Sequence, residues 1–162
     1  MAERNPQTWI LTGSVENFRA SRERGFDVVG LKERRRLMAQ QVVPGDRIIS
    51  YVTKVQAFGA IARITGELYE DREPIWPGKP GKRDDYPWRF AAEPEVVLDE
   101  DHFVAAEPLA GQLEHVQKWP AEHWHLAFQG QLRAVSEHDA ELVAGRMREA
   151  AAAGERGAPA VA

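Results

Sequence analysis

The sequence predicts an α+β fold built around a small, mostly antiparallel, barrel-like sheet with flanking helices. Three observations lead to this prediction. Several stretches show the two-residue hydrophobic period of β-strands, and the helical stretches between them lack the regular strand–helix alternation of a parallel sheet. The third is size: 162 residues, 43% of them hydrophobic, suffice for one domain with its own core. We place this domain at residues 7–152 and expect a disordered tail at 153–162, where Ala, Gly and Pro dominate.

The central strand is predicted over residues 47–53. The Pro-Gly-Asp sequence at 44–46 favours a tight turn, which would start this strand. Apolar side chains then occupy both faces, with Ile48 on one and Ile49 and Tyr51 on the other. A strand that is apolar on both faces belongs in the middle of a sheet.

Three further strands are predicted over residues 8–12, 56–68 and 86–98, because apolar and aromatic residues alternate there between turn residues. In the second of these, Gly59 and the alanines around it leave room for a bulky neighbouring group. We therefore expect a large side chain from another element to pack against that strand.

Three helices are predicted from their capping residues and hydrophobic patterns. Ser14 is a candidate N-cap for residues 15–20, and Ser136 for the last helix. Between them, residues 31–41 form a basic helix that stops at Pro44. Its core-facing residues are expected to be Leu31, Leu37 and Met38.

The composition excludes several kinds of chemistry. With no cysteine, the chain has no disulfide, no thiol nucleophile and no cysteine-bound zinc. The chain has no run of about 18 apolar residues, so no membrane span is predicted. The first residues also lack the basic-then-apolar layout of a signal peptide, so we expect a cytoplasmic protein.

Charge is distributed unevenly although the net charge is only −4. Residues 19–36 carry seven basic side chains against three acidic ones, whereas residues 93–114 carry seven acidic and no Lys or Arg. The first segment could therefore meet phosphates and the second could not. The alternative is that the basic segment is simply a solvated helix face.

Three histidines lie close together in the sequence, at positions 115, 123 and 125. On a strand, His123 and His125 would share a face and could form part of a divalent metal site with His115. The alternative, which we favour, is that they are ordinary histidines near Trp119 and Trp124. No metal is predicted.

Trp76 is the most informative aromatic residue. It lies between Pro74 and Pro77 in the polar stretch 70–85, and loops of that length are often functional. The indole either anchors this loop to the body of the protein or presents its face to a flat ligand such as a nucleobase. Phe26, also in a predicted loop, is either the opposite wall of such a pocket or part of the core.

An ordered set of motifs resembles one known family. The set is a Trp-bearing first strand that runs into Ser14, Gly30-Leu31 before a basic helix, Val43-Pro44-Gly45-Asp46-Arg47-Ile48-Ile49-Ser50-Tyr51, Phe58-Gly59, Pro74-Ile75-Trp76-Pro77 and Tyr86-Pro87-Trp88-Arg89-Phe90. Over residues 7–150 the chain resembles the EVE domain, a member of the PUA-like superfamily and a relative of the YTH readers of methylated adenine.

The resemblance implies a PUA-like pseudo-barrel with an aromatic pocket for a modified base of DNA or RNA, without catalysis or cofactor. The implied pocket residues are Ser14, Phe26, Val29, Ser50, Tyr51, Phe58 and Trp76. Relatives often carry a second tryptophan near residues 26–29, so here either Phe26 replaces it or the pocket has one wall fewer. The residues implied to hold phosphates are Lys32, Arg34, Arg35 and Arg36.

An enzyme is the alternative function. The related ASCH domains share the fold, some of them are nucleases or hydrolases, and residues 30–34 loosely resemble their signature. Lys32, Glu33 and Tyr51 would then transfer protons or hold a scissile phosphate. A third hypothesis, a protein-interaction scaffold, has only the acidic second half in its favour. The loop tryptophan between prolines favours the reader of a modified base, and the sequence leaves the oligomeric state open.

Overall fold

The structure is a computed structural model that describes residues 5–78, 81 and 84–157, the last three by their backbone alone. The strands are β1 (Thr8–Gly13), β2 (Val28–Leu31), β3 (Arg47–Val52), β4 (Ala57–Ile64), β5 (Tyr69–Glu70), β6 (Trp88–Val97), β7 (Val104–Ala105) and β8 (Leu132–Val135). The helices are α1 (Val15–Glu23), α2 (Arg36–Ala39) and α3 (Glu137–Gly157).

The strands form one curled sheet in the order β2-β6-β4-β3-β1-β8, with β5 beside β6 and β7 beside β4. Only the β1–β3 pair is parallel among the described strands, and the other pairs are antiparallel. The curl brings the two ends of the sheet together, because the peptide N–H of Lys32, just after β2, donates to the side chain of Gln131, just before β8. The predicted α+β fold with a barrel-like, mostly antiparallel sheet is confirmed.

Strand β3 lies in the interior of the sheet, between β1 and β4, as predicted. The turn before it contains Gly45 at φ +96°, which favours glycine. Next to that glycine, the fully buried Asp46 carboxylate accepts hydrogen bonds from the indole N–H of Trp9 and the peptide N–H of Val43. The bond from Trp9 joins β1 to the start of β3, and the bond from Val43 closes the turn before β3.

Each face of the sheet has its own hydrophobic core. On one face, Ile49 and Ile61 pack with Met147 of α3. On the other, Ile48 packs with Trp9 and Phe90 inside the curl of the sheet. The residues between β7 and β8 form three 3₁₀ segments, at Glu107–Gln112, Glu114–Val116 and Ala121–Phe128, which cover the first core.

The bulky group expected beside Gly59 is present. A Cβ placed on Gly59 would lie 2.6 Å from the Phe18 ring and 2.8 Å from the Phe103 ring. Those two rings meet edge to face, with centroids 4.9 Å apart. The absence of a side chain at Gly59 therefore lets α1 and the segment after β6 pack onto β4.

The capping predictions at two helices are confirmed. Ser14 caps α1 by accepting from the Asn17 peptide N–H at 3.1 Å, and Ser136 accepts from the Asp139 peptide N–H at 3.2 Å at the start of α3. Helix α3 continues to Gly157, into the segment predicted as a tail. Residues 158–162 of that tail lie outside the described residues.

The helix predicted over residues 31–41 is wrong. Leu31 instead ends β2, where it pairs with Trp88 and is almost fully buried. A 3₁₀ turn follows at Glu33–Arg35, and α2 has only four residues. Leu37 is 76% exposed rather than core-facing, because Met38 and Ala39 occupy the side of this turn that packs against the core. Within the described part of the chain, no helix combines the length and the apolarity that a membrane span requires.

Candidate functional site

Two connected cavities open where the ends of the sheet approach each other. The inner one has a volume of about 60 Å³ and the outer one about 510 Å³. The residues that line both are Thr12, Gly13, Ser14, Asn17, Tyr51, Tyr86 and Gln131. The inner cavity is largely apolar, whereas the outer one is flanked by basic side chains.

A side chain, rather than strand pairing, joins the sheet at this point. Gln131 accepts from the Thr12 peptide N–H through its backbone carbonyl and from the Lys32 peptide N–H through Oε1, each at 2.8 Å. Strand β2 does not pair with β1 or β8, so the Gln131 side chain makes the connection across this gap. Next to this gap, the pairing of β3 with β4 shifts register between Ser50 and Tyr51, an irregularity typical of strand ends beside functional sites.

Trp76 both anchors its loop and lines the inner cavity. The indole is 9% exposed, and its N–H donates to Ser21 Oγ at 2.9 Å. It lies against Gly30, where a Cβ would come within 2.3 Å of the indole ring. The absence of a side chain at Gly30 therefore leaves the space that the indole occupies. The two functions that the sequence left open for Trp76 are compatible in this position.

Tyr86 is a wall of both cavities that the sequence analysis did not single out as a site residue. Its ring meets the Trp76 ring edge to face at 5.8 Å, and its hydroxyl accepts from Asn17 Nδ2 at 3.0 Å. Its backbone has φ +47°, which is strained for a bulky residue. The neighbouring Asp84 carboxylate holds this conformation by accepting from the Tyr86 peptide N–H.

Phe26 also lines the inner cavity and also has a left-handed backbone, with φ +53°. It ends a turn after α1 in which its peptide N–H donates to the Ser21 carbonyl. The ring is buried and meets Phe18 edge to face at 5.2 Å. Phe26 is thus a core residue with one side on the cavity. Strained aromatic residues that persist beside a cavity are typical of functional sites.

Arg89 holds the loop that carries Trp76 and Tyr86. Its buried guanidinium donates to the backbone carbonyls of Glu73, Asp85 and Tyr86, and it lies 5.2 Å from the Trp76 ring centroid. One cation therefore contacts both ends of the loop and the indole between them. The only sequence signal for this role is a charged residue inside the apolar strand pattern of β6.

The remaining predicted pocket residues differ in position. Ser14, Val29 and Ser50 line the inner cavity. Tyr51 lines both cavities and stacks on Phe128 at 4.5 Å, and burial raises the pKa of its hydroxyl to about 12. Phe58 is not among the lining residues of either cavity: it is fully buried behind Tyr51 because its side chain faces the core under α3.

Of the predicted phosphate-binding residues, Lys32, Arg34 and Arg35 line the outer cavity. The Nε of Arg35 is buried without a hydrogen-bond partner among the described residues. Arg36 is not among the lining residues and lies 5.6 Å from the Trp88 ring centroid.

Other charges of the basic segment are already paired. Arg19 and Arg22 bond the Glu100 carboxylate, at 2.7 and 3.3 Å, so part of the acidic half neutralises part of the basic half. Glu33 pairs with Arg72 at 2.7 Å, and this guanidinium lowers the pKa of Glu33. Glu33 is therefore a weak proton acceptor.

The histidines lie on 3₁₀ segments, and the strand assumed for the metal alternative is wrong there. His115 Nε2 lies 2.6 Å from the Ala127 carbonyl oxygen, and the rings of His123 and His125 are 6.4 Å apart. His125 lines the outer cavity.

Three other potential metal ligands, Glu114, His138 and Asp139, lie within 4.8 Å of one another. Both Asp139 oxygens, however, accept peptide N–H groups, from Glu114 and His115, each at 2.8 Å. His138 Nδ1 also lies 3.0 Å from Asp139 Oδ1. This cluster ties the start of α3 to the preceding segment.

The chain belongs to the EVE domain family, which its residues 5–146 match. The resemblance found in the sequence is thereby confirmed. A curated relative, the UPF0310 protein PH1033 of Pyrococcus horikoshii, is 24% identical over 145 residues, which cover 83% of this chain and 94% of the relative.

Solved YTH domains have the same fold. The YTH domain of Zygosaccharomyces rouxii MRB1, solved with N6-methyladenosine RNA, superposes with a TM-score of 0.60 at 15% identity over 91% of this chain and 88% of that one. The Pho92 YTH domain, solved with m6A, has a TM-score of 0.63 at 10% identity over 90% and 85% of the two chains. At these identities the likeness establishes the fold.

Proposed function

We propose that this protein binds one modified nucleobase of a DNA or RNA strand in the two cavities and holds the flanking phosphates on Lys32, Arg34 and Arg35. The observation that carries the proposal is an aromatic, largely apolar inner cavity that opens into a larger cavity with basic walls. Two YTH domains of the same fold were solved with N6-methyladenosine RNA or m6A, which supports a ligand of this class.

The two volumes suggest how such a ligand fits. The outer cavity, at about 510 Å³, is within the range of ligand pockets, about 300–1,000 Å³. The inner cavity is smaller, at about 60 Å³, and has Trp76 in its wall. A planar base would enter through the outer cavity and place part of one face, with a small apolar substituent such as a methyl group, against the Trp76 ring in the inner cavity. Full burial of that methyl group contributes about 0.8 kcal/mol.

The energetics favour a base that is already unpaired. Extracting a base from a duplex costs a few kcal/mol, whereas stacking on one aromatic ring returns about 1–3 kcal/mol. Phosphate contacts then position the strand without reading its sequence. We expect single strands, or sites where the base is easily extruded, to bind best.

We further propose that the domain binds without catalysis. In the hydrolase alternative, Lys32, Glu33 and Tyr51 would transfer protons. Glu33 is paired with Arg72, and the pKa of Tyr51 is about 12, so neither matches a proton-transfer group tuned to neutral pH. Incubation with RNA tests this directly, since cleavage that Lys32→Ala abolishes would favour the hydrolase.

The decisive experiment replaces Trp76 by Leu, which keeps an apolar side chain but removes the aromatic face. Binding to short single strands that each carry one modified base should weaken by about 10- to 100-fold, the range expected for one lost stacking contact. Trp119→Leu is the matched control, because Trp119 packs near His115 and is not among the cavity-lining residues. Unchanged affinity in a folded Trp76→Leu protein would contradict the proposal.

A further inference from the structure

Gln131 is a buried polar side chain at the junction of the two cavities. It is 7% exposed and lines both of them. Its neighbours along the chain, Gln129 and Gly130, are exposed and line only the outer cavity. Burial of an amide group is unfavourable unless its donors and acceptor are used, so the hydrogen bonds of Gln131 indicate its role.

The orientation of this amide follows from its one acceptor bond. Oε1 accepts from the Lys32 peptide N–H at 2.8 Å, and because a peptide N–H can only donate, the amide oxygen must lie on that side. The NH₂ group consequently lies on the other side of the amide. No acceptor in residues 5–78, 81 and 84–157 takes a hydrogen bond from it.

Two neutral hydroxyl groups that line both cavities with Gln131 can also donate. Burial keeps the Tyr51 hydroxyl protonated, with a pKa of about 12, and Ser14 Oγ already accepts from the Asn17 peptide N–H, which leaves its own proton to donate. Both residues line the two cavities together with Gln131. The junction therefore offers hydrogen-bond donors without a formal charge.

We infer that Gln131 determines which base is bound, by donating from Nε2 to an acceptor atom on the edge of the heterocycle. The ligand class is a neutral planar base that presents a ring nitrogen or an exocyclic carbonyl oxygen to the junction. This inference rests on the proposed function and deepens it. A site built to donate to an acceptor rejects an analogue without that acceptor, because a donor that the bound base covers is then left unpaired.

The test distinguishes donation by Gln131 Nε2 from the structural hydrogen bond that Oε1 accepts from the Lys32 peptide N–H. In Gln131→Glu, measured at pH 8, a carboxylate oxygen still accepts from the Lys32 peptide N–H but the NH₂ donor is gone. Gln131→Met removes both. Gln129→Glu is the matched control, since it adds the same charge at the exposed wall of the outer cavity. Thermal unfolding reports whether each variant keeps its fold.

The probes are nine-nucleotide single strands whose central base is one of the standard bases, N6-methyladenine or 5-methylcytosine. For the strand that binds most tightly, analogues are made in which one ring nitrogen of the central base is replaced by C–H or one exocyclic oxygen is removed. We expect Gln131→Glu to bind at least about tenfold more weakly than Gln129→Glu with unchanged thermal stability. The analogue that lacks the acceptor atom contacted by Gln131 should bind weakly to the unmodified protein, and Gln131→Met should weaken its binding no further.

Two results would overturn the inference while the proposed function stands. One is affinity of Gln131→Glu within twofold of Gln129→Glu, together with Trp76-dependent binding. The other is that every analogue loses the same affinity, relative to the tightest-binding strand, in the unmodified protein and in Gln131→Met. Absence of any Trp76-dependent binding would instead overturn the proposed function, and this inference with it.

Discussion

The two walls of the candidate site are built in different ways. The sheet wall consists of β1 and β3, which pair in parallel from Thr8 with Arg47 to Gly13 with Val52. The loop wall, residues 71–87, carries Trp76 and Tyr86 but has no strand or helix in its described part. Single side chains hold it instead, above all Arg89 and Asn17.

The loop wall is the part of the site that is more sensitive to substitution. A strand ladder distributes its stabilisation over many backbone bonds, so one substitution rarely disrupts it. The loop wall depends on a few side-chain-to-backbone bonds, and each of them bears on the position of the indole. Variants in the loop supports should therefore change binding more than variants in the sheet wall.

The largest effect is expected for Arg89→Met. The substitution leaves three backbone carbonyls without their charged donor, which should lower the free energy of unfolding by about 3–5 kcal/mol. Urea unfolding measures this. Arg63→Met is the control: Arg63 pairs with Glu93 in an exposed salt bridge, so its loss should cost less than about 1 kcal/mol. Equal losses in the two variants would show that Arg89 does not carry the loop wall.

The next largest effect is expected for Gly30→Ala, because this residue lies on β2 of the sheet and its substitution displaces Trp76 of the loop wall. The new Cβ would overlap the indole of Trp76, so the ring must move. We expect a loss of about 1–3 kcal/mol in stability and a weaker affinity for modified-base strands. In the control Gly111→Ala, the Cβ meets nothing within 4 Å. Normal binding by Gly30→Ala would mean that the indole position is unimportant.

A smaller effect is expected for the basic side chains that line the outer cavity. If Arg34 and Arg35 each hold a phosphate, the double substitution to Gln should reduce the slope of log affinity against log salt by about 1.4–1.8, from about 0.7–0.9 per contact. The affinity should fall for all strand sequences alike. Arg133→Gln, an exposed position outside the cavity lining, is the control. An unchanged slope would place the phosphates elsewhere.

The smallest effect concerns the sheet wall and pH. The pKa of Tyr51 is about 12 in the folded protein and about 10 when unfolded, so the unfolded chain loses its proton first. Tyr51 therefore makes the protein lose about 1 kcal/mol of stability as pH rises from 8 to 11. Tyr51→Phe should remove this part of the pH dependence in unfolding experiments at the two pH values. The same decline in both proteins would refute the assignment.

Local patterns were sufficient for much of the fold. Alternating apolar residues predicted four strands, and Ser14 and Ser136 predicted two helix starts, because these signals act over a few neighbouring residues. The same reasoning failed at residues 31–41, where basic helix formers suggested a longer helix. There, pairing of Leu31 with Trp88 across the sheet outweighed the local helical propensity.

The candidate site divides in the same way. Trp76 and Tyr51 could be singled out from the sequence, because an aromatic residue between prolines and a strand apolar on both faces are local signals. Gln131 and Arg89 could not, since their roles depend on bonds to residues 99 and 16 positions away.

The class of fold, the central strand and the family could be predicted from the sequence, because hydrophobic period and motif order are properties of the chain alone. The folded structure was needed to show which polar groups face the cavities and which are already paired. The reason is that a buried donor or charge acquires its partner through the folding of distant segments. Its neighbours in sequence therefore do not show whether it still has an unsatisfied hydrogen-bond donor or acceptor.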